Sequence, residues 1–345
     1  MIFNKKKNIA KPKRSVPRKI LNFFIGVFGV VVFLLIVAVG FMQTNTFRGW
    51  LKEKITTTVN DEINGNLSIG SVEGTILTSL FVNDISLTTG GDTLATVSKF
   101  GLKINPVELL LGRIYVRTLL LNSPKISLLQ DKNGIWLTER LAKETEEIIE
   151  EKADSLKTEG ESSFPFKIFI NDISINNLSF VKKTFENRGT HKKYKIINTD
   201  DLEIDSMYFA AKVAADLNNN SFQLLIERLS GKTNTKSFRL RNLSGAFIIK
   251  PGFAQVGKLN VVTDSSNISI SAQLDGINLF APLDLKEFKN FPVKVSASAQ
   301  PFNFDDLTSF LSATNILKGN VFFNLEANGK FGDFNINKLS AKINE

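Results

Sequence analysis

From Leu67 onward, apolar and polar side chains alternate along the chain with a period of two. Val293, Val295, Ala297 and Ala299 alternate with Lys294, Ser296 and Ser298. Ile268, Ile270, Ala272 and Leu274 alternate with Ser269, Ser271 and Gln273, and Val321, Phe323, Leu325 and Ala327 follow the same rule. Such alternation puts one face of a strand in apolar surroundings and the other in polar ones. Turn signals at Gly90-Gly91, Asn133-Gly134, Asn219-Asn220 and Asn328-Gly329 punctuate the runs. The pattern predicts a mainly β chain of many antiparallel strands with few helices.

Three stretches break the alternation. Pro106 to Gly112 is a short helical segment with Val107, Leu110 and Leu111 on its apolar side, and Asp305 to Leu311 is a second. The third, Thr138 to about Leu156, holds Leu141, Ile148, Ile149 and Leu156 among many charges. Residues 139–161 carry 9 acids against 4 bases, the composition of a solvated helix or flexible insertion.

A different pattern occupies the N-terminus. No charged side chain occurs from Phe23 to Met42, and the wider uncharged window is Ile20 to Phe47. At about 1.5 Å per residue a helical run of this length spans a hydrocarbon core of about 30 Å. Its bulky members are Phe23, Phe24, Phe28, Phe33, Leu34, Leu35, Ile36 and Phe41. A cleaved signal peptide is the rival reading. The run exceeds the usual h-region of about 7–15 residues, and Gly40-Phe41-Met42-Gln43 puts bulky groups where a cleavage site needs small ones. An uncleaved anchor is therefore preferred. After it, Phe47, Trp50, Leu51, Lys54, Ile55 and Val59 recur at helical spacing. Either this helix lies at the outer interface through Phe47, Trp50 and Leu51, or it packs on the domain as an ordinary first helix.

These patterns divide the chain into a basic tail (1–19), an anchor (20–43), a juxtamembrane helix (44–63), a first β-rich segment (64–137), a charged insertion (138–163) and a second β-rich segment (164–345). One phrase recurs in both β segments. Phe81-Val82-Asn83-Asp84-Ile85-Ser86-Leu87 is echoed 88 residues later by Phe169-Ile170-Asn171-Asp172-Ile173-Ser174-Ile175. Looser copies begin at Leu121 and Ile336. Each reads as strand, Asn-centred kink or bulge, then strand, because Asn and Asp tolerate such backbone positions.

Charge changes the picture in one respect. The formal +9 suggests nucleic acid, yet the first 19 residues hold 8 of the 43 Lys and Arg and no acid. The remainder carries 35 basic against 34 acidic groups, so the folded part is near neutral and no nucleic-acid partner is expected. Basic residues beside a spanning helix favour the cytoplasmic side, so the tail is expected in the cytoplasm and the bulk of the chain outside it. There is no cysteine, and 29 Phe stand against 3 Tyr and 2 Trp, a large apolar load without hydroxyl handles.

Catalytic and metal chemistry finds little support. The one histidine, His191, lies in a basic loop with Lys192 and Lys193, which speaks against a Ser-His-Asp triad or a His-rich metal site. No G-x-x-x-x-G-K-S/T phosphate loop occurs. Asp131-Lys132-Asn133-Gly134 resembles the start of a calcium loop, but Ala142 stands where the twelfth position needs Glu, and a hairpin turn is the better reading. Asp305-Asp306 reads as a helix cap and Asp200-Asp201 as the close of a strand. The expectation is a protein that is not an enzyme, with no metal and no cofactor.

The order of features resembles a known family. After the tail and anchor come Gly65 to Ile76, then Leu80 to Leu87, then Val97 to Asn105, the Leu-rich Pro106 to Leu111, and Leu120-Leu121-Asn122-Ser123-Pro124-Lys125-Ile126-Ser127-Leu128. This is similar to the AsmA-like superfamily, most closely the N-terminal part of TamB-like translocation and assembly module proteins. The resemblance implies a long curved β-groove, taco-like, anchored in the inner membrane of a Gram-negative-type bacterium with its bulk in the periplasm. It implies phospholipid acyl chains as ligands, transfer between envelope membranes, and a BamA/TamA-like outer-membrane assembly partner. Family members run far longer than this chain, and the strand pattern is still running at Glu345, so further strands or a missing C-terminal domain are expected.

On that reading the groove lining includes Ile268, Ile270, Leu274, Val293, Val295, Val321, Phe323 and Leu325. The competing reading makes the same residues the dry core of a sandwich. A third possibility is an anchored scaffold whose strand edges pair with client β-strands and which carries no lipid.

Overall fold

The computed structural model describes residues 39–143, 167–236, 238–281, 289–310, 318–330 and 333–344, together with Val30, Phe33 and Val37. The chain forms two compact units, Met1–Leu51 and Lys52–Glu345. Helix α1, Asn45–Glu62, runs from the first into the second.

The second unit is a curved sheet of 14 strands. In chain order these are β1 (Asn66–Thr75), β2 (Ser79–Thr89), β3 (Asp92–Ile104), β4 (Arg113–Asn122), β5 (Lys125–Leu129), β6 (Lys167–Lys183) and β7 (Asp201–Asp216). They continue as β8 (Ser221–Thr233), β9 (Arg239–Lys250), β10 (Phe253–Thr263), β11 (Asn267–Asp275), β12 (Pro292–Asn303), β13 (Asn320–Lys330) and β14 (Asp333–Asn344). Apart from β4 and β5, which do not pair with each other, neighbours in sequence are neighbours in space and pair antiparallel, as short hairpin turns require. The exception is β6, which pairs parallel with both β4 and β5. A parallel partner needs a long connection, and the charged segment after Leu129 supplies it. The two β-rich segments of the sequence thus share one sheet.

β4 and β5 behave as one strand broken at Ser123-Pro124. Ser123 sits at φ 46°, and both halves lie between β3 and β6. The Asn-centred phrases do kink the sheet. Asp84 is at φ 53°, β6 shifts register between Ile170 and Ile173, and the β13–β14 ladder shifts beside Asn337. Opposite the first kink stands Gly70, where a Cβ would come 2.9 Å from that of Asp84.

Helices are short. α2, Pro106–Leu110, links β3 to β4, α3, Leu137–Leu141, follows β5, and α4, Phe304–Thr308, follows β12. The long charged helix expected from Thr138 begins as the five-residue α3, and residues 144–166 lie outside the description. Asp305-Asp306 is not the cap of α4. Asn303 is, its Oδ1 accepting from the Asp305 N–H, because the helix starts one residue earlier than the sequence suggests. Asp201 likewise opens β7 and does not close a strand.

Every described strand belongs to the one sheet, and its edge strands β1 and β14 do not meet in a ladder. Many of its apolar side chains are half-buried, while Val72, Val82, Val116, Val293, Ala299 and Ala327 are buried. Leu137, Ile277, Asp201 and Ser309 are the largest side chains that are fully buried.

Candidate functional site

Ladder partners in a sheet share a face, so the register states which side chains lie together. One row can be followed across thirteen strands. It begins Val72, Val82, Phe100, Leu121, Ile175, Phe209 and Leu229. It continues Leu243, Val261, Ile268, Ala299, Phe323 and Ala341. Every member is apolar.

A second row crosses eleven strands: Ile104, Val116, Ile170, Val213, Leu224 and Phe247, then Val256, Ala272, Val295, Ala327 and Ile336. The intervening positions point the other way. On β11 to β14 they are Ser269, Ser271, Gln273, Lys294, Ser296, Ser298, Asn324, Glu326, Lys338, Ser340 and Lys342, with Phe322 the apolar member. The sheet therefore has one continuous apolar face.

All eight residues expected to line a groove lie on that face. Ile268 pairs with Ala299, Ile270 with Ala297, Leu274 with Val293, Val295 with Ala327, Leu325 with Ala297, Phe323 with Ala299 and Val321 with Phe302. Val293 is buried, and the other seven are half-buried. Ladder spacing of about 4.8 Å makes the thirteen-strand row roughly 58 Å long. Neither residue type nor position supplies a hydrogen-bond donor along it, so its chemistry is that of a surface for hydrocarbon.

The anchor residues fall mostly elsewhere. Phe23, Phe24, Phe28, Leu34, Leu35 and Ile36 lie outside the described residues. Val30, Phe33, Val37, Val39 and Phe41 are helical and exposed. Among the described residues no helix is long and apolar enough to cross a membrane. Trp50 is exposed and touches the half-buried Phe47, which also meets Phe41 edge-on, and Leu51 is half-buried.

From Lys52 onward α1 behaves as the ordinary packing helix. Lys52, Ile55, Thr56, Val59 and Asn60 form its half-buried stripe. It also caps the sheet: the Leu67 N–H donates to Asn60 Oδ1 at 2.6 Å, Asn60 Nδ2 donates back to the Leu67 carbonyl at 3.3 Å, and Lys52 Nζ donates to the Gly70 carbonyl at 2.8 Å. Side chains thus occupy the β1 edge where another strand would pair. β14 pairs with β13 alone among the described strands, and Ile336, Leu339 and Ile343 on it are exposed.

Loops at one end of β6 to β13 hold a polar network that the sequence did not reveal. Lys183, across the ladder from Asp201, ion-pairs with Asp201 and Glu203 and donates to the Thr190 carbonyl. Tyr194 Oη donates to Asp201 at 2.6 Å, and exposed His191 meets Glu203 at 3.0 Å. Burial alone pulls the Lys183 ammonium down, but Glu203 and Asp201 outweigh it and hold its pKa above the ordinary lysine value. The hydrogen bond to Asp201, with burial, raises the Tyr194 phenol. Buried Asp306 accepts from the hydroxyls of Thr263 and Ser266. These contacts fasten the loops to the sheet, although Oδ1 of Asp306 is buried without a hydrogen bond and Oδ1 of Asp201 has only the Lys183 ion pair. Asp131 is a turn residue: Oδ1 accepts from the N–H groups of Asn133 and Ile135, and Arg140 holds the other oxygen.

Comparison with known proteins gives one result. A family model described as the AsmA family matches residues 16–320. No curated protein and no solved structure matches the chain.

Proposed function

The chain belongs to the AsmA family, and from that we propose a membrane-anchored β-groove protein that binds phospholipid acyl chains and bridges envelope membranes for lipid transfer. The observation that carries the proposal is the unbroken apolar row from Val72 to Ala341, half-buried along most of its length. An acyl chain laid on such a face gains about 0.8 kcal/mol per methylene removed from water. The roughly 58 Å row is nearly twice the hydrocarbon core of a bilayer, about 30 Å, so more than one lipid fits along it. The uncharged N-terminal run with its basic flank supplies the anchor, placed in the inner membrane with the sheet in the periplasm. The role is binding and passage without catalysis, and phospholipid co-purifying with the protein is its test. A protein free of lipid after mild extraction counts against it.

A second reading has its own support. β14 is a twelve-residue strand that pairs with β13 alone among the described strands and carries exposed apolar side chains, the kind of edge that accepts another strand. On this reading the protein is a scaffold for client β-strands, in the manner of a TamB-like protein with an outer-membrane assembly partner of BamA/TamA type. Crosslinks from Lys338 or Lys342 to nascent outer-membrane proteins, with no lipid bound, favour it over lipid transfer.

A further inference from the structure

The corner of the sheet built by β1 to β4 has two unlike ends. At one end the segment after β5 folds back over the apolar face. Leu137 is fully buried there, and α3 touches β2, β3 and β5. Trp136 lies against Lys182, whose ladder partners Leu128 and Leu202 place it on the apolar face. The turns at this end, Gly90-Gly91 and Asp131 to Gly134, are polar or glycine-rich.

The opposite end is left apolar. β3 leads into α2, started by Asn105, whose Oδ1 accepts from the Val107 N–H. This short connection turns its side chains outward: Val107 is 61% exposed, Leu110 87% and Leu111 63%. Ile76, in the adjacent β1–β2 turn, is also exposed, and the Ile104 N–H donates to the Thr78 carbonyl, tying that turn to the start of α2. Contiguous exposed apolar groups mark a contact surface in a soluble domain. Exposed Lys103, Arg113 and Arg117 lie on the strands that flank the tip, Arg113 ion-paired with Glu108. An apolar tip with a basic collar is the chemistry of a lipid headgroup boundary.

α1 runs along the β1 edge. Asn60 lies beside Leu67 and Lys52 beside Gly70. Stepping back along α1 toward its N-terminus therefore moves along β1 toward Thr75 and Ile76. Lys52, the first residue of this unit, therefore lies nearer the tip than Asn60 does.

We propose that Ile76, Val107, Leu110 and Leu111 insert into the headgroup region of the leaflet facing the sheet, in the bilayer that holds the anchor. The tip would then seat the uncovered end of the apolar face against its lipid source. This inference rests on the anchored, acyl-binding reading above.

The chain has no cysteine, so a single reporter can be placed. The full chain carrying Leu110→Cys, or Lys132→Cys at the opposite end, is labelled with an environment-sensitive fluorophore. It is reconstituted in nanodiscs of phosphatidylcholine and phosphatidylglycerol containing doxyl-labelled lipid. The expected result is blue-shifted emission at position 110, quenched at least twofold by doxyl lipid, and water-like unquenched emission at position 132. Water-like emission at both sites overturns the proposal. So does a blue shift at 110 without doxyl quenching, which would mean a protein partner covers the tip. Quenching does not require bound lipid on the sheet, so a lipid-free protein with a quenched tip refutes the groove and spares the tip.

Discussion

Replacing Ile270 with Asp separates a lipid lining from a dry core. Ile270 lies mid-strand in β11, flanked across the ladders by Leu259 and Ala297. It is half-buried, so on an open face the new carboxylate keeps contact with water. The cost to folding is then the lost strand preference, about 1 kcal/mol, plus part of an isoleucine burial, about 1 kcal/mol. In a closed core the same change leaves an unpaired buried charge, at more than about 4 kcal/mol. Bound lipid suffers more than folding does on the open-face account. Loss of contact with two methylenes removes about 1.6 kcal/mol, and a carboxylate left without a partner under the acyl chain costs a further 1–3 kcal/mol, roughly. Together these weaken binding about 100-fold or more, at about 1.4 kcal/mol per tenfold. Ser271→Asp, one residue away on the polar face, is the control and should do neither. The assays are thermal unfolding and mass spectrometry of co-purified lipid. Unfolding by Ile270→Asp alone would falsify the open face, and lipid retained equally by both variants would remove acyl chains from it.

Two further outcomes follow from the polar contacts. The Lys183 pKa is raised, so its contribution is complete below the ordinary lysine value and fades as pH rises through the raised one. Lys183→Met should lower stability at pH 7 by about 3 kcal/mol, the low end for breaking a buried pair, and the gap to wild type should narrow above about pH 10.5. A gap unchanged across pH 7 to 11.5, followed by thermal melts, would deny the ion pair its role. Asn60→Ala removes both hydrogen bonds from the β1 edge and should raise hydrogen exchange at the Leu67 amide at least tenfold, about 1.4 kcal/mol of opening. No change in exchange would mean that the edge is protected by something other than Asn60.

The period of two was legible because every strand has one apolar face, and that regularity survives whatever lies beside it. Ile268, Ile270, Val295 and Phe323 could be assigned to one side from the sequence alone. Their alignment into rows could not, because it depends on bulges that shift register, such as Lys258 at φ 35° and Ser206 at φ 52°. Neither residue type announces a bulge. The parallel β4–β6 pairing was hidden for a related reason: a broken strand and a charged insertion look like the end of one domain. Asp306 was read as a cap because its partners, Thr263 and Ser266, lie about forty residues away. The exposure of Val107, Leu110 and Leu111 was equally invisible, since an apolar stripe on a helix ordinarily faces a core.

The central claim is that hydrocarbon lies along one face of this sheet. A photo-crosslinking amino acid placed in living cells at Val261, Ile268, Ala299 and Phe323, and at their neighbours Asn260, Ser269, Ser298 and Asn324, tests it directly. Phospholipid adducts are predicted at the first four positions and not at the second four. Adducts at neither set, or at both sets equally, would contradict it.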